Sequence, residues 1–357
     1  MRGLYYRLRA LMGIAWWWIC WIIGARGRGK SFAAVETVLY YQKKYGIENV
    51  KCYYFRLSDL SVKSMLENRA AKAIDALLLR KYKMQVSVKG NTVFNHGKPC
   101  MYFYALVSAA KKKGIAEYDP EFLGKRPIDK KTGKPIKRFI FIILDEFMIA
   151  EGVEKRTVGN PVEQFKIYIE NILRDQERLA DYPAVRVFAC ANAVSECSGF
   201  LAQLAGFIPE APGRYKLKRK HMIVENLPNS EEYIEKRKKS YSSDIMDYED
   251  DANYTNIIKR DLETLKPKRQ KLNRPTCIIK FSKSEKDWFT IWDGNIIRKW
   301  NGQNVKNTVP MIRYLDDIFV EEKARSIIER YDARAFRYAD LISQSTFAAH
   351  LKIVKNK

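Results

Sequence analysis

The sequence predicts an α/β protein with a mostly parallel sheet in its N-terminal domain and a small α+β domain at its C-terminus. Three observations predict this class. The apolar run 15–23 leads into a glycine-rich loop, and the pattern of 31–45 after the loop is helical. The apolar run 139–144 ends in two carboxylates, at the end where open parallel sheets bind ligands. Beyond residue 264, short strand patterns replace the alternation of apolar strands and helices.

The glycine-rich loop carries the first chemical motif. Its sequence, Gly-Ala-Arg-Gly-Arg-Gly-Lys-Ser, matches G-x-x-x-x-G-K-[ST], in which backbone N–H groups surround a polyphosphate and the lysine reaches the β- and γ-phosphates. The strand before the loop and the helix after it favour a phosphate site over a structural glycine turn. The predicted phosphate-binding residues are Gly24, Ala25, Arg26, Gly27, Arg28, Gly29, Lys30 and Ser31, with Mg²⁺ on the Ser31 hydroxyl.

Composition limits the class of partner. The chain has 357 residues, which is enough for two domains, and 65 Lys and Arg against 41 Asp and Glu give it a net charge of +24. This excess favours nucleic acid or an acidic membrane surface as partner over an ordinary basic surface. Six scattered cysteines without a C-x-x-C pair, and only three histidines, argue against zinc and for a reducing compartment.

The N-terminal apolar run has two interpretations. Arginines at positions 2, 7 and 9 precede it, as in a signal peptide. The stretch 11–23 is nevertheless too short for a transmembrane helix, and it leads directly into the phosphate loop. We predict a first core strand in a cytoplasmic protein with no membrane partner, and a membrane anchor is the alternative.

Between the loop and the acidic run, local patterns predict several elements. A strand is predicted at 50–56, a helix at 58–83 and a small antiparallel meander at 85–104. Residues 115–138 are predicted to be an irregular loop, because they contain three prolines and many lysines.

The second chemical motif is the acidic pair that ends the run 139–144. Asp145 is predicted to share Mg²⁺ with Ser31, and Glu146 to orient and deprotonate the attacking water. The alternative is an acidic pair that only caps a strand. The phosphate loop upstream favours ATP hydrolysis, and an Asp-Glu pair is typical of the ASCE class of P-loop ATPases, which carry their own catalytic glutamate. The sequence has no N-K-x-D guanine-reading motif.

Two further residues are candidates for the same site. Arg174 lies in a predicted helix, 162–179, where it either pairs with Glu170 on the surface or completes the nucleotide site of a neighbouring subunit. The residues alone favour the surface pair. Asn192 follows the predicted buried strand 186–191, and either contacts the γ-phosphate or the attacking water, or simply ends the strand.

Composition shifts mark the domain boundaries. Blocks of opposite charge separated by prolines predict a mobile connector. The predicted divisions are a P-loop ATPase domain at 1–228, the connector at 229–264 and a C-terminal domain at 265–357. In the last domain, strands are predicted at 276–281, 288–292 and 296–300, and helices at 317–330 and 333–350. Trp288, Trp292 and Trp300 either stack on bases or belong to the core.

In this order the motifs resemble those of the DNA-packaging ATPases of small tailed phages whose short linear genomes carry a terminal protein. The resemblance covers roughly the first two thirds of the chain, and the last third matches in pattern only. The matching pieces are the loop 23–27 with Gly29-Lys30-Ser31, the box Leu144-Asp145-Glu146-Phe147, the helix Arg174…Glu177-Arg178, the run Asn192-Ala193-Val194-Ser195 and the segment 235–238.

The resemblance implies a homo-oligomeric ring of five subunits at the portal of an empty capsid, in the cytoplasm of the infected host. Such rings use ATP and Mg²⁺ to pump double-stranded DNA, and related phages also use a structural RNA. The resemblance further implies that Arg174 acts in the neighbouring subunit's site and that Arg26 contacts phosphate. It assigns a second trans-acting residue to Lys111, Lys112 or Lys113. The C-terminal domain is expected to resemble an RNase-H-type nuclease that has lost its catalytic acids.

Two other functions remain open at this stage. One is a membrane-associated phage assembly or secretion ATPase, which the tryptophan-rich N-terminus suggests. The other is a non-catalytic nucleic-acid-binding module with a relic phosphate loop.

Overall fold

A computed structural model describes the chain at 6–106, 122, 126–147, 161–173, 183–192, 200–209, 211–229, 235, 272, 275–280, 288–292, 296–300, 311–313, 336–339, 343–344 and 346–347. The chain divides into two compact units. The first comprises Met1–Val194 and Pro209–Ile257, and the second Ser195–Ile208 and Ile258–Lys357. The boundaries predicted from composition, with a connector at 229–264, stay predictions.

A nine-stranded sheet organises the described part of the first unit. Its order is β3-β4-β5-β2-β6-β7-β1-β9-β8. Six adjacent strands run parallel, in the order β5-β2-β6-β7-β1-β9. The β3-β4, β4-β5 and β8-β9 pairs are antiparallel. The predicted mostly parallel sheet is confirmed. Its strands are β1 (Ile19–Ile23), β2 (Val50–Arg56), β3 (Val86–Lys89), β4 (Thr92–Asn95), β5 (Lys98–Ala105), β6 (Phe139–Asp145), β7 (Ala184–Ala191), β8 (Gly213–Leu217) and β9 (Met222–Asn226).

Four α-helices are described in this unit: α1 (Lys30–Tyr45), α2 (Asp59–Ala70), α3 (Ala76–Tyr82) and α4 (Pro161–Leu173). The single helix predicted at 58–83 is therefore wrong. The last three residues of α2, Asn68, Arg69 and Ala70, have positive φ angles, and a regular helix cannot continue through three left-handed residues. The two shorter helices start at side-chain caps, where Ser58 accepts from the Ser61 N–H and Asp75 from the Leu77 N–H.

The core lies on both faces of the sheet. Every residue of β1 and of β6 is buried, as their uninterrupted apolar sequences predict for central parallel strands. Aromatic side chains stack across neighbouring strands, with Phe141 and Phe188 centroids 5.6 Å apart and Tyr54 and Phe103 centroids 4.8 Å apart. This packing fixes the register in which the strand ends meet.

The N-terminal apolar run begins with a short 3-10 helix, Leu8–Gly13, and continues into β1. The predicted core strand is confirmed over Ile19–Ile23 but is wrong for 11–18, which the end of the 3-10 helix and an irregular stretch occupy. Among the helices that the structure describes, none has both the length and the apolar character needed to cross a membrane.

The lysine-rich segment before β6 is more ordered than predicted. Ile128 and Pro135 pair as an antiparallel bridge, and the Asp129 N–H donates to the Lys134 carbonyl at 2.9 Å. Gly133 supplies the left-handed turn residue, with φ of 65°. The described part of this segment, 126–138, is therefore a β-hairpin and not an irregular loop.

The second unit contains a five-stranded sheet in the order β13-β10-β11-β12-β14. Its first three strands in chain order, β10, β11 and β12, pair antiparallel, whereas β13 and β14 pair in parallel with β10 and β12. The predicted helix 333–350 is wrong at its start, because β14 pairs there with residues 296–297 and tertiary pairing overrides local propensity. The likeness to an RNase-H-type domain stays a prediction. The strands are β10 (Pro275–Lys280), β11 (Trp288–Trp292), β12 (Ile296–Trp300), β13 (Met311–Arg313) and β14 (Arg337–Tyr338).

Candidate functional site

The carboxyl ends of β1, β6 and β7 meet at one edge of the large sheet. Because β7 lies between the other two strands, Ile22 and Asp145 both pair with Cys190. The loop after β1, the acids after β6 and Asn192 after β7 are thereby brought together. A cavity of about 250 Å³ lies among them, lined by Arg26, Gly27, Gly29, Lys30, Ser31, Phe32, Asp145, Glu146, Ala191 and Asn192.

Glycines give the loop its shape. Gly27 and Gly29 have φ angles of 85° and 74°, where a side chain costs about 1–2 kcal/mol. Gly29 is the N-cap of α1, and its carbonyl accepts from the Ala33 N–H at 2.9 Å. The N-terminal segment supports the loop from outside, since the Tyr6 N–H donates to the Arg28 carbonyl at 3.0 Å.

Lys30 points into the loop. Its Nζ donates to the carbonyls of Gly24 at 2.9 Å and Ala25 at 2.8 Å, and to Oδ1 of Asn192 at 3.0 Å. Burial lowers the pKa of this ammonium to about 8, although the nearby Asp145 acts in the opposite direction. A buried ammonium held only by neutral acceptors suits an anionic oxygen as a stronger partner. The predicted phosphate role of Lys30 fits this environment.

Ser31 and Asp145 form the predicted metal pair. The Ser31 hydroxyl donates to Oδ1 of Asp145 at 2.7 Å, so a hydroxyl and a carboxylate oxygen lie side by side at the cavity wall. Such oxygens are the ligands of Mg²⁺, which usually binds through one or two protein groups together with substrate phosphates. The donor set therefore fits Mg²⁺. The two arginines of the loop differ in exposure, since Arg26 is exposed at the cavity and Arg28 is buried.

Arg56 is a site residue that the sequence patterns missed. It ends β2, and its Nη1 contacts Oδ2 of Asp145 at 2.7 Å while its Nη2 contacts Oε2 of Glu146 at 2.8 Å. Burial lowers the pKa of this guanidinium, but the two carboxylates raise it by more, and the net shift is upward. Tyr54 also reaches the site, where its hydroxyl donates to Oδ2 of Asp145 at 2.7 Å. The signal that was overlooked is a charged residue at the carboxyl end of a predicted parallel strand.

The two acids occupy different environments. The Asp145 side chain is 8% exposed and fully hydrogen-bonded, whereas the Glu146 side chain is 58% exposed and contacts one guanidinium. Glu146 has a φ of 59°, an unfavourable conformation for a residue with a side chain, and its N–H donates to the Cys190 carbonyl at 2.7 Å. This turn keeps the Asp145 carboxylate buried and leaves the Glu146 carboxylate open to solvent, which fits their predicted roles in metal binding and water activation.

Several predicted residues lie outside the described part of the chain. The described part of helix α4 runs to Leu173. Arg174 falls outside the described residues, as do Lys111, Lys112 and Lys113. Phe147, the last residue of the resembling box 144–147, is described. It packs edge-on against Trp21, with ring centroids 5.1 Å apart.

Comparisons with known proteins bear on the whole chain. The sequence matches no family model and no curated protein. The Phi-28 gp11 DNA packaging motor has a similar structure, with a TM-score of 0.64 at 14% identity over 98% of each chain. The bacteriophage Phi-29 viral genome packaging motor assembly gives 0.60 at 14% identity, over 98% of this chain and 99% of the other. The chain therefore has the fold of phage DNA-packaging motor proteins.

Proposed function

We propose that this chain hydrolyses ATP to translocate double-stranded viral DNA into a preformed capsid, as a homo-oligomeric ring. One observation carries the proposal. Lys30, Ser31, Asp145 and Glu146 line a single cavity at the carboxyl edge of a parallel sheet. The likeness of fold to two proteins described as packaging motors extends over nearly the whole chain and supports the DNA as cargo.

The geometry suits phosphoryl transfer. Lys30 and the backbone of 24–31 bind the β- and γ-phosphates of ATP, and Arg26, exposed at the cavity, adds a further positive charge. Ser31 and Asp145 would hold Mg²⁺, which would neutralise charge that develops on the phosphates. Glu146 accepts the proton of the attacking water, and Asn192 contacts that water or the γ-phosphate.

Assembly completes the site in this proposal. Arg174 of one subunit enters the nucleotide site of the next and stabilises transition-state charge, together with one of Lys111, Lys112 and Lys113. The ring has five subunits and binds the portal of the capsid in the cytoplasm of the infected cell, where a structural RNA is a further partner. Hydrolysis then depends on the ring, because no subunit holds a complete site.

Protection of DNA from nuclease by capsids tests the proposal. The wild-type protein should protect DNA only when ATP and capsids are both present. Glu146→Gln should bind ATP within about threefold of wild type but lose at least about 100-fold in turnover, because the general base is gone, and it should protect no DNA. Turnover is measured by phosphate release.

Glu163→Gln is the matched control, since Glu163 is exposed on α4 and pairs only with Lys166 among the described residues. This variant should behave as wild type. Full hydrolysis by Glu146→Gln would overturn the catalytic assignment, and protection without ATP would overturn the motor function.

A further inference from the structure

The hairpin 126–138 is a concentrated positive surface that the nucleotide site does not use. It contains six Lys and Arg residues and one acid, Asp129. Four of the basic side chains are exposed lysines: Lys130, Lys131, Lys134 and Lys137.

The turn of the hairpin is rigidly built. The Asp129 carboxylate accepts the Lys131 N–H at 2.8 Å, and the Asp129 carbonyl accepts the Gly133 N–H at 2.8 Å. The hydrogen bond from the Lys131 N–H lowers the pKa of the Asp129 carboxyl group. The one acid of the hairpin therefore holds the turn in shape, and the lysine ammonium groups are presented from a fixed backbone.

The base of the hairpin is anchored to the first unit. The buried Arg138 donates to the Phe122 carbonyl, and its guanidinium lies 5.5 Å from the centroid of the Phe122 ring. Lys51 of β2 approaches the same ring, with its Nζ 4.9 Å from the centroid. The chain then enters β6 directly, so the hairpin is attached without a linker to the strand that carries the acidic pair.

The four lysines outnumber the single acid of the hairpin, Asp129. Some other exposed lysines of this unit pair with acids, as Lys81 does with Glu36 at 2.7 Å. None of the four hairpin lysines forms an ion pair with a residue that the structure describes. Four ammonium groups of like charge on one short hairpin repel each other, and a bound polyanion would reduce this repulsion.

We propose that the hairpin 126–138 is an arm that binds the phosphate backbone of a nucleic-acid duplex. This inference rests on the proposed function and names a surface for it. The arm lies at the amino end of β6, about 20 Å along the strand from the nucleotide cavity. A nucleic-acid contact there is separate from the catalytic residues, and β6 connects the two.

The composition of the arm favours a duplex over a single strand. Proteins that hold single strands stack bases on aromatic side chains, and residues 126–138 contain no aromatic residue. Lysine binds phosphate as a point charge and carries no base-reading geometry. The arm is therefore suited to a regular backbone of any sequence, as a translocating motor requires.

The test compares two variants of equal charge. The arm variant replaces its four exposed lysines: Lys130→Gln, Lys131→Gln, Lys134→Gln and Lys137→Gln. The control variant replaces four exposed lysines elsewhere on the same unit: Lys63→Gln, Lys89→Gln, Lys216→Gln and Lys218→Gln. Binding to a DNA duplex and to an RNA duplex of the same sequence is measured between about 50 and 300 mM salt.

The arm variant should lose at least about tenfold in duplex affinity near 150 mM salt, and its plot of log K against log salt should become less steep by about two or more. The control variant should change that slope by less than about one. ATP hydrolysis without nucleic acid should stay at the wild-type level in both. Loss on DNA, on RNA or on both supports the arm and identifies which duplex it binds.

Other outcomes overturn the inference. Equal weakening in the two variants means that duplex binding is diffuse over the basic surface. Normal duplex binding with loss of capsid docking means that the arm contacts an acidic protein surface. A wild-type protein that hydrolyses ATP but binds neither duplex refutes the arm and leaves the ATPase standing. Arm-dependent duplex binding without any ATP hydrolysis supports the arm and refutes the proposed function.

Discussion

At the scale of single residues, the Asp145 carboxylate is held in place by three donors from two elements. Ser31 of α1 and Tyr54 and Arg56 of β2 each donate to it at 2.7 Å. Burial, and then Asp145 itself, raise the pKa of Tyr54, so its phenol remains a donor throughout the physiological range. The carboxylate proposed to bind Mg²⁺ is therefore oriented by the protein alone, which lowers the cost of assembling the site.

The lowered pKa of Lys30 predicts how ATP binding depends on pH. The free protein loses the Lys30 proton above a pKa of about 8, whereas phosphate oxygens favour the protonated ammonium. Binding is thus accompanied by proton uptake above pH 8, and affinity falls as pH rises. The Kd for a non-hydrolysable ATP analogue should be flat below about pH 8 and rise up to about tenfold per pH unit above it, measured by titration calorimetry.

Lys30→Arg supplies the comparison, because a guanidinium keeps its charge throughout this range. It should bind the analogue more weakly, with little change in Kd between about pH 7 and 9.5. Parallel pH curves for Lys30→Arg and wild type would assign the pH effect to another group.

At the scale of elements, sequence patterns correctly predict the helices and strands whose formation depends on nearby residues. The strand β2 and the helix α1 match their sequence patterns almost to the residue, because apolar runs, glycines and periodicity act over short distances. The patterns missed the break in 58–83 and the parallel strand β14, where left-handed residues and distant pairing decide the outcome. Both halves of the nucleotide site follow from motifs, but Arg56 reaches it only because β2 pairs with β6.

The end of α1 predicts a site where alanine is costly. Gly46 caps the helix with φ of 92° and ψ of 142°, a conformation that residues with side chains rarely adopt. An added Cβ would also approach Oε1 of Glu48 within 2.2 Å, although that side chain can move. Gly46→Ala should lower the free energy of unfolding by about 1–3 kcal/mol in urea denaturation.

Gly13→Ala is the matched control, because nothing lies within 4 Å of its added Cβ. It should change stability by less than about 0.5 kcal/mol. The double variant Gly46→Ala with Glu48→Ala separates backbone strain from crowding. Full recovery of stability in that double variant would show that crowding, and not the φ angle, causes the loss.

At the scale of the whole molecule, strand order and subunit assembly lie beyond local patterns. The order β5-β2-β6-β7-β1-β9 depends on packing between segments that are distant in sequence. The proposed shared nucleotide site would need a second chain, and Arg174 is assigned to it only by the resemblance of its sequence motif. The net charge of +24 is likewise a property of the whole chain, and it favours a polyanionic cargo.

Mixing experiments test the shared site. Lys30→Ala subunits retain Arg174, and Arg174→Ala subunits retain a complete phosphate loop, so each alone should be inactive. An equal mixture should restore ATPase activity to about a quarter of the wild-type level, because about a quarter of adjacent pairs combine the two intact partners. Phosphate release is measured across mixing ratios. Mixtures that stay inactive at every ratio would refute a site completed in trans.

Cys190 lies two residues before Asn192, and its carbonyl accepts the Glu146 N–H at 2.7 Å and the Phe147 N–H at 3.4 Å. This link between the acidic turn and the end of β7 consists of main-chain atoms only. Saturation mutagenesis of position 190 would leave it in place, and genetic screens would not reveal it through the side chain. Ester substitution of the backbone amides at 146 and 147 is the chemical change that would expose it.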